Sequence, residues 1–274
     1  MSATRIKNVL SIAGSDPSGG AGIQADLKAI AAQGCYAMAA VTALTAQNTR
    51  GVTGVRLVEP DFVAAQIDAI FADIRVDAVK IGMLGSADIV AAVAAALARH
   101  RPPHVVLDPV MVAKGGDRLL ADAAVAMLKD RLLPLATVLT PNLPEAAVLL
   151  ECPEPETRDA MLATAKALRG LGPADGSGAV LLKGGHLPAT DSPDLLVTAD
   201  GEHWLETERI ATKNTHGTGC TLSSALAARL AATADVRAAT EQAKRYVAGA
   251  IAAADSLDVG QGHGPTHHFH ALWR

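Results

Sequence analysis

The sequence has few aromatic residues: two Trp, two Tyr and three Phe account for 3% of its 274 residues. Half of the chain is nevertheless hydrophobic, and 56 residues are alanine. This composition excludes a disordered chain, because disordered chains have few apolar residues and many charges. It also excludes a single-stranded nucleic-acid binder, which needs aromatic faces and basic grooves, and it argues against an aromatic-rich β-sandwich.

Cysteines and long hydrophobic runs are also scarce. The three cysteines, Cys35, Cys152 and Cys220, lack the paired spacing of a disulfide framework or a CxxC metal site. The net charge of −4 predicts neither a polyanionic partner nor a membrane surface. The alanine-rich run Ile89–Ala98 is too short to span a bilayer, and the N-terminal residues lack the design of a signal peptide. We therefore expect a cytoplasmic protein that binds neither nucleic acid nor membranes.

Short β-branched segments alternate with alanine-rich helical windows along most of the chain. This alternation predicts an α/β fold with a mostly parallel sheet and helices on both faces. One predicted strand is Ala39–Thr45, and Arg50–Val58 is a further extended segment. Near the C-terminus, Asp200-Gly201 separates two short apolar runs and predicts an antiparallel hairpin. No linker separates two halves that would fold alone, so we expect one domain over residues 1–274.

Polar and glycine-rich segments follow several predicted strands. In an open parallel sheet, ligands bind beyond the carboxyl ends of the strands. Six segments fall at such ends: Gly14–Gly20, Gln47-Asn48, Gly82-Met83, Asp108, Thr140–Glu145 and Lys183–His186. The pattern predicts a ligand site along one edge of the sheet.

The segment NTHGTGCTLSSA, from Asn214, leads a glycine-rich loop into an alanine-rich helix that we expect from about Cys220. Free backbone N–H groups and the helix dipole make such a loop an anion site. The same position lowers the pKa of a thiol at the helix start, here Cys220. The alternative is a buried small apolar residue. No standard nucleotide motif is present, since Gly20 and Ala21 replace the Lys and Ser/Thr of a phosphate-binding loop.

Seven segments and the tail form a specific combination. In order they are AGSDPSGGAGIQADLK (Ala13–Lys28), TALTAQNT (Thr42–Thr49), KIGML (Lys80–Leu84), VLDPVM (Val106–Met111), TPNLPEA (Thr140–Ala146), KGGH (Lys183–His186), KNTHGTGCTLSSA (Lys213–Ala225) and GHGPTHHFHALW. Together they resemble the bacterial hydroxymethylpyrimidine/phosphomethylpyrimidine kinases of thiamine biosynthesis, which belong to the ribokinase-like superfamily. The resemblance runs from about Val9 to Trp273.

The resemblance implies two successive ATP-dependent phosphorylations in one site. The first acts on the hydroxymethyl group of 4-amino-5-hydroxymethyl-2-methylpyrimidine, and the second acts on the resulting monophosphate. It also implies Mg²⁺ and a homodimer. The nearest rival function is that of a pyridoxal or pyridoxine kinase, and a rival of another class is a non-catalytic pyrimidine sensor.

By the family pattern, Gly217, Thr218, Gly219 and Cys220 form an anion hole around the transferred phosphoryl group. Cys220 then serves as the base that takes the hydroxyl proton, at a position where the wider superfamily usually has aspartate. Gly217 and Thr218 also contact ATP in this pattern.

Lys183 ends an apolar strand, a position that suits neutralisation of ATP phosphates; the alternative is a surface lysine. The spacing of Asn142 and Glu145 fits either a helix capping box or two polar groups near Mg²⁺. The resemblance favours the latter, with Asn142 on ATP and Glu145 and Asp108 at the metal. For Asp108 the alternative is a loop cap.

A side-chain amide can donate and accept hydrogen bonds on a pyrimidine edge, and the resemblance places Gln47 on the substrate. Gly14, Met83 and Val110 line the pocket in family members; without the resemblance, Met83 and Val110 would be assigned to the core. Asp26 lies on the first predicted helix and fits a solvated face equally well. We interpret the histidines of the tail as docking the C-terminus, and the role of His216 is open.

Overall fold

The computed structural model describes residues 5–111, 121–187 and 192–273. The strands in this part of the chain are β1 (Asn8–Ala13), β2 (Tyr36–Val41), β3 (Ala43–Asn48), β4 (Gly51–Leu57), β5 (Ala78–Ile81), β6 (Val105–Leu107), β7 (Val138–Leu139), β8 (Ala179–Lys183), β9 (Asp194–Thr198) and β10 (Gly201–Leu205). The α-helices are α1 (Gly22–Ala32), α2 (Pro60–Asp73), α3 (Ala87–His100), α4 (Asp122–Arg131), α5 (Leu143–Leu150), α6 (Arg158–Arg169), α7 (Thr218–Thr233) and α8 (Val236–Ala252).

Eight strands form the main sheet in the order β10-β9-β8-β7-β6-β5-β1-β2. In this order, each pair of neighbouring strands between β8 and β2 is parallel. The β8–β9 and β9–β10 pairs are antiparallel. This arrangement confirms the predicted α/β fold and the hairpin at Asp200-Gly201. Because the parallel strands share one direction, the loops that follow β1, β5, β6, β7 and β8 meet at one edge.

The strand predicted at Ala39–Thr45 is wrong as a single element. The chain leaves the main sheet at Thr42, and β3 pairs with β4 in a separate two-stranded sheet. The Thr42 amide still donates to the Ala13 carbonyl, at 3.0 Å, while its hydroxyl donates to the Met83 carbonyl, at 2.7 Å. These bonds hold Thr42 at the sheet edge and direct the β3–β4 hairpin over the loops there.

Two layers of helices cover the main sheet. Alternate residues of β1 point to opposite faces: Leu10 and Ile12 join a core with α2 to α6, whereas Val9 joins a core with α1, α7 and α8. The abundant alanine serves the second core, where Ala225, Ala227 and Ala228 of α7 are fully buried. Small side chains let α7 lie close to the sheet and to α1, which brings its N-terminus to the loop edge.

The C-terminal tail docks on this second helix layer. The His267 amide donates to the Ala250 carbonyl, at 2.9 Å, and His268 Nε2 lies 3.1 Å from the Thr221 hydroxyl. Burial lowers the pKa of His268 to about 3, so this imidazole is neutral. These contacts agree with the predicted docking role of the tail histidines. Across the described residues, none of the helices combines the length and apolarity needed to cross a membrane.

Candidate active site

The N-terminus of α7 meets the glycine-rich loop after β1. Helix α7 begins at Thr218, two residues before the predicted start, so Cys220 lies in its first turn rather than at its cap. Gly217 is the N-cap residue and has φ +75°, a conformation that favours glycine. A Cβ at Gly217 would overlap the carbonyl oxygen of Gly20, so the two loops touch through their backbones. The helix presents free N–H groups there, as expected of an anion site.

The surroundings of Cys220 correct one expectation. Burial raises the pKa of its thiol to about 11, although the Lys80 ammonium and the Gly22 backbone amide lower it. Asp26 and Asp108 raise it further. The predicted lowering of the pKa by the helix start is therefore wrong, because desolvation of a thiolate outweighs the helix N-terminus here.

Lys183 ends β8 beside the same helix start. Its ammonium lies 2.9 Å from Asp108 Oδ1 and 3.9 Å from Glu145 Oε2, and its side chain is 15% exposed. Burial lowers the pKa of Lys183, but the two carboxylates raise it to about 12. A Cβ on Gly219 would lie 3.4 Å from Lys183 Nζ. The lysine is thus a fixed charge beside the first turn of α7 and not the alternative surface lysine.

Asp108 follows β6 and is buried between cations and hydroxyls. Besides Lys183, it accepts hydrogen bonds of 3.2 Å from the hydroxyls of Thr140 and Ser223. Burial raises the pKa of Asp108, but Lys183 and Lys80 lower it by more, so the net pKa is below the usual range. Asp108 therefore stays ionised, and it does more than cap a loop.

Asn142 and Glu145 form the capping box of α5. The Asn142 side chain accepts from the Glu145 amide, and Glu145 Oε2 accepts from the Asn142 amide, both at 2.8 Å. The capping alternative left open by the sequence is thus confirmed. Burial raises the pKa of Glu145 to about 7, with Lys183 opposing and Asp108 adding to the shift. Its charge consequently changes near neutral pH.

The candidate substrate residues Gly14, Met83 and Gln47 lie around the β3–β4 hairpin. The Gly14 amide donates to the Met83 carbonyl, at 3.1 Å, and a Cβ on Gly14 would overlap the end of the Met83 side chain. Gln47 lies on β3 next to a bulge, where its Oε1 accepts from the Thr45 hydroxyl, at 3.2 Å. Gln47 therefore belongs to the hairpin and not to a loop after a main-sheet strand.

Thr45 connects Gln47 to the loop after β1. The Thr45 hydroxyl also lies 2.9 Å from the Ser15 carbonyl oxygen, and its amide donates to the Ser15 hydroxyl at 3.3 Å. Val110, the fourth candidate, follows Asp108 and donates its amide to the Asp108 carbonyl at 2.8 Å. Contacts link the first three candidates into one group, whereas Val110 lies on the loop beside the carboxylates.

His216 and Asp16 join the loop after β1 to the loop before α7. His216 Nε2 lies 2.7 Å from Asp16 Oδ2, and both residues are buried. Asp16 also accepts from the Ser18 amide and hydroxyl and from the Ala21 amide. Burial raises the pKa of Asp16, but these hydrogen bonds lower it more, so the net pKa is below 3.8. His216 thus has a structural contact that the sequence did not reveal.

Asp16→Asn is expected to lower the free energy of unfolding by about 2 kcal/mol at pH 7, since it removes hydrogen bonds to a buried carboxylate. A depressed carboxyl pKa contributes stability above its unfolded value, and that stability is lost as the pH falls through the folded pKa. The difference between variant and parent should therefore shrink below pH 3.8. Urea unfolding at pH 7 and pH 3 measures it, with exposed Asp258→Asn as control. Equal differences at both pH values would contradict this assignment.

Sequence reasoning missed a buried charge pair below Cys220. Lys80 of β5 and Asp26 of α1 are both fully buried, and Lys80 Nζ lies 2.9 Å from each Asp26 oxygen. The alternative of a solvated face for Asp26 is wrong. Two signals were available: a lysine within the apolar strand AVKI, and an aspartate three and four residues before the buried Ala29 and Ile30.

The described residues contain no cluster of three or more His, Cys, Asp or Glu side chains arranged to hold a metal ion. Asp108 and Glu145 nevertheless both lie close to the Lys183 ammonium, at 2.9 Å and 3.9 Å, beside the first turn of α7. Carboxylate oxygens are suitable ligands for Mg²⁺, which usually takes one or two carboxylates together with waters and substrate phosphates. This pair therefore fits such an ion.

Known proteins resemble this chain in sequence and in fold. A model of the phosphomethylpyrimidine kinase family matches residues 16–267. The hydroxymethylpyrimidine/phosphomethylpyrimidine kinase of Escherichia coli strain K12 is 55% identical over 97% of this chain and 98% of its own length. A crystal structure of phosphomethylpyrimidine kinase from Clostridium difficile 630 has a TM-score of 0.78 and 40% identity, covering 89% of this chain and 99% of its own. The ADP complex of Bacillus subtilis pyridoxal kinase has a TM-score of 0.86 and 37% identity, covering 96% and 98%.

The mostly parallel sheet with helices on both faces is the fold of these solved kinases, and the chain is a kinase with a ribokinase-like fold. The family match extends over nearly the whole chain. The chain belongs to the phosphomethylpyrimidine kinase family. The enzyme class predicted from the sequence motifs is confirmed.

Proposed function

We propose that this chain phosphorylates the hydroxymethyl group of 4-amino-5-hydroxymethyl-2-methylpyrimidine with ATP and then phosphorylates the monophosphate. One observation carries the proposal: the first turn of α7, with Cys220, lies beside the buried Lys183–Asp108 pair. A cation, free amides and a proton acceptor at one place suit phosphoryl transfer, which depends on positioning and charge stabilisation. The names of the curated relatives supply the substrate.

In the first reaction, the substrate oxygen forms a bond to the γ-phosphorus while the bond between that phosphorus and the bridging oxygen of ADP breaks. The hydroxyl proton moves to Sγ of Cys220, which must be a thiolate to accept it. The Thr218 amide donates to the Thr215 carbonyl, at 3.3 Å, whereas the amides of Gly217 and Gly219 donate to the transferred group. In this position they stabilise the charge that develops on its oxygens.

Lys183 neutralises the phosphates of ATP in this proposal, and Asn142 adds a polar contact to the nucleotide. Asp108 and Glu145 hold Mg²⁺ through its water shell. When bound, the ion offsets negative charge between the phosphates. The capping box orients Glu145 through the Asn142 amide, so the helix start and the carboxylate are set together.

The pyrimidine ring is held by its edge. Gln47 can donate and accept on neighbouring ring positions. The absence of a side chain at Gly14 lets the end of the Met83 side chain pack against its backbone. Met83 and Val110 supply apolar walls, which agrees with the scarcity of aromatic side chains. We further propose a homodimer in the cytoplasm; exposed apolar Leu44 and Leu57 of the β3–β4 hairpin support an interface.

A second candidate function is pyridoxal phosphorylation. Two solved pyridoxal kinases support it, from Bacillus subtilis and from Staphylococcus aureus, the latter with a TM-score of 0.88 and 32% identity. Both substrates carry a hydroxymethyl group on an aromatic heterocycle. The two substrates differ in the pattern of hydrogen-bond donors and acceptors on the ring edge. In the proposal, Gln47 is the side chain that contacts this edge.

A comparison of substrates tests the proposed function. We expect kcat/KM for the hydroxymethylpyrimidine to exceed that for pyridoxal by about 10²-fold, because a mismatched ring edge leaves a buried polar group of the site unpaired, at a cost of about 1 to 3 kcal/mol. ADP release is measured with the pyrimidine, its monophosphate and pyridoxal in parallel. Gln47→Leu should narrow the ratio by lowering the pyrimidine value. A larger kcat/KM for pyridoxal than for either pyrimidine would overturn the proposed substrate.

A further inference from the structure

The buried pair of Lys80 and Asp26 crosses the second core. Lys80 is 0% exposed within β5, and Asp26 is 0% exposed on α1. The Asp26 oxygens also accept from the hydroxyls of Ser11, at 2.6 Å, and Ser224, at 2.7 Å. Each Asp26 oxygen therefore accepts two hydrogen bonds. The donors come from three elements, β1, β5 and α7.

Stability alone is a weak reason for such a pair. Removing two charges from water costs several kcal/mol per ion, and an apolar pair of the same volume often stabilises a protein as well or better. The neighbouring residues Ala25, Ala29 and Ile30 are fully buried and apolar. A charge pair at this position therefore calls for a second role.

The position of the Lys80–Asp26 pair indicates that its second role concerns Cys220. Ser224, which bonds Asp26, lies four residues after Cys220 and thus on the same side of α7. A Cβ on Gly82, in the loop after β5, would lie 2.8 Å from Lys80 Nζ, so the ammonium reaches the loop edge. Gly22, whose amide reaches the thiol, is four residues before Asp26 on α1.

The charged groups around the thiol come from four elements: Asp26 of α1, Lys80 of β5, Asp108 after β6 and Lys183 of β8. The two carboxylates disfavour a thiolate, whereas Lys80 is the strongest side-chain charge that favours it. Lys80 is paired with Asp26 as Lys183 is paired with Asp108, but Lys80 has the larger effect on the thiol. Lys80 is thus the main cation that stabilises a negative sulfur.

We propose that Lys80 is a positioning residue for Cys220: its buried ammonium stabilises the thiolate, and Asp26 limits how much of that positive charge the sulfur experiences. The inference rests on the proposed role of Cys220 as the base. Lys80 keeps its protons throughout. The substrate proton goes to sulfur, and Lys80 stabilises the thiolate before the transfer.

Alkylation of Cys220 by iodoacetamide reports the thiolate directly. Lys80→Met should slow alkylation at fixed pH by about three- to tenfold, since loss of a neighbouring opposite charge raises a thiol pKa by one unit or more. Asp26→Asn removes the opposing charge and should accelerate alkylation by a similar factor. Rates are read by mass spectrometry of the Cys220 peptide at pH 8 to 9, with exposed Cys152 of the same sample as reference.

The proposal predicts that the two substitutions change the alkylation rate in opposite directions. If the pair had only a structural role, both substitutions would change the rate in the same direction, or neither would change it. Where Lys80→Met alone fails to fold, Asp26→Asn is compared with Asp26→Asn/Lys80→Met. This pair isolates the Lys80 charge without leaving a buried unpaired carboxylate. Slower alkylation of the double variant supports the proposal, and an equal or faster rate overturns it.

The alkylation result does not depend on catalysis. If Cys220→Ala keeps full activity while the two alkylation rates move in opposite directions, the base assignment fails and the effect of Lys80 on the thiol stands. If the rates do not move but Cys220→Ala is inactive, Lys80 loses its positioning role and the base assignment stands.

Discussion

Cys220→Ala is expected to lower kcat for the hydroxymethylpyrimidine by about 10²- to 10⁴-fold, the usual contribution of a positioned general base. The hydroxyl of this substrate is a weak nucleophile, and its proton must leave as the new oxygen–phosphorus bond forms. ATP affinity should change little, because the backbone amides of α7 and the Lys183 ammonium remain in place. Initial rates at saturating ATP and an equilibrium measurement of ATP binding check both parts.

The same variant should affect the second phosphorylation much less, by less than about tenfold. The attacking group there is a phosphomonoester oxygen, whose second pKa is near 6. That oxygen is largely ionised at pH 7 and needs no base. The ratio of the two rates therefore distinguishes a base from a residue that shapes the anion site.

Three variants complete this experiment. Cys152→Ala changes an exposed cysteine and should leave both rates unchanged. Cys220→Ser keeps the size of the side chain but is a poor proton acceptor, so it should resemble Cys220→Ala. Cys220→Asp restores an acceptor and should recover part of the first reaction. Full activity of Cys220→Ala, or equal losses in both reactions, would remove Cys220 from the role of base.

Much of the fold could be predicted because local patterns agree with the tertiary structure. The alternation of strands with alanine-rich helices predicted the sheet and its two helix layers, and Asp200-Gly201 predicted the β9–β10 hairpin. The boundary between β2 and β3 could not be predicted. Both segments have residues suited to strands, and only the long-range contacts of Thr42 with Ala13 and Met83 show where the chain leaves the sheet.

The site was predictable to a different extent. Strand ends located Asp108 and Lys183 correctly, since the direction of parallel strands determines where their loops meet. The ionisation state of Cys220 was not predictable, because it depends on burial and on charges from four elements distant in sequence. The same holds for Lys80 and Asp26, which lie 54 residues apart and meet only in the folded core.

Helix α7 explains why these charges gather in one place. Its alanines permit close packing on the sheet, so Ser223 reaches Asp108 and Ser224 reaches Asp26 from adjacent positions. Each serine binds the carboxylate partner of one lysine, Lys183 or Lys80. The helix thus ties both ion pairs to the first turn that holds Cys220, and small side chains are what make that approach possible.

Lys183→Met is expected to reduce kcat/KM for ATP by about 10²- to 10³-fold, comparable to loss of one strong stabilising group in an active site. Its ammonium lies 2.9 Å from Asp108 Oδ1 and 3.9 Å from Glu145 Oε2. Without it, these two carboxylates face the incoming phosphates and lose the cation that offsets their charge. The effect should therefore appear mainly in ATP binding and phosphoryl transfer.

Lys183→Met should also change the pH dependence of kcat/KM. Burial raises the pKa of Glu145 to about 7 while Lys183 holds it down, so removal of Lys183 raises it further. Glu145 is ionised only above its pKa, and an activity that requires the carboxylate therefore appears at higher pH in Lys183→Met than in the parent. Profiles of kcat/KM from pH 6 to pH 9 measure this displacement of the acidic limb.

Two comparisons make the result specific to this charge. Lys183→Arg keeps a cation and should leave the acidic limb near its original position, even if the longer side chain lowers the rate. Lys166→Met removes an exposed lysine that pairs with Glu202 at 3.2 Å, and both rate and profile should stay unchanged. Thermal unfolding of each variant sets the assay temperature below its transition, because breaking a buried pair costs about 3 to 5 kcal/mol. A folded Lys183→Met enzyme with the parent's pH profile would show that Lys183 does not control Glu145.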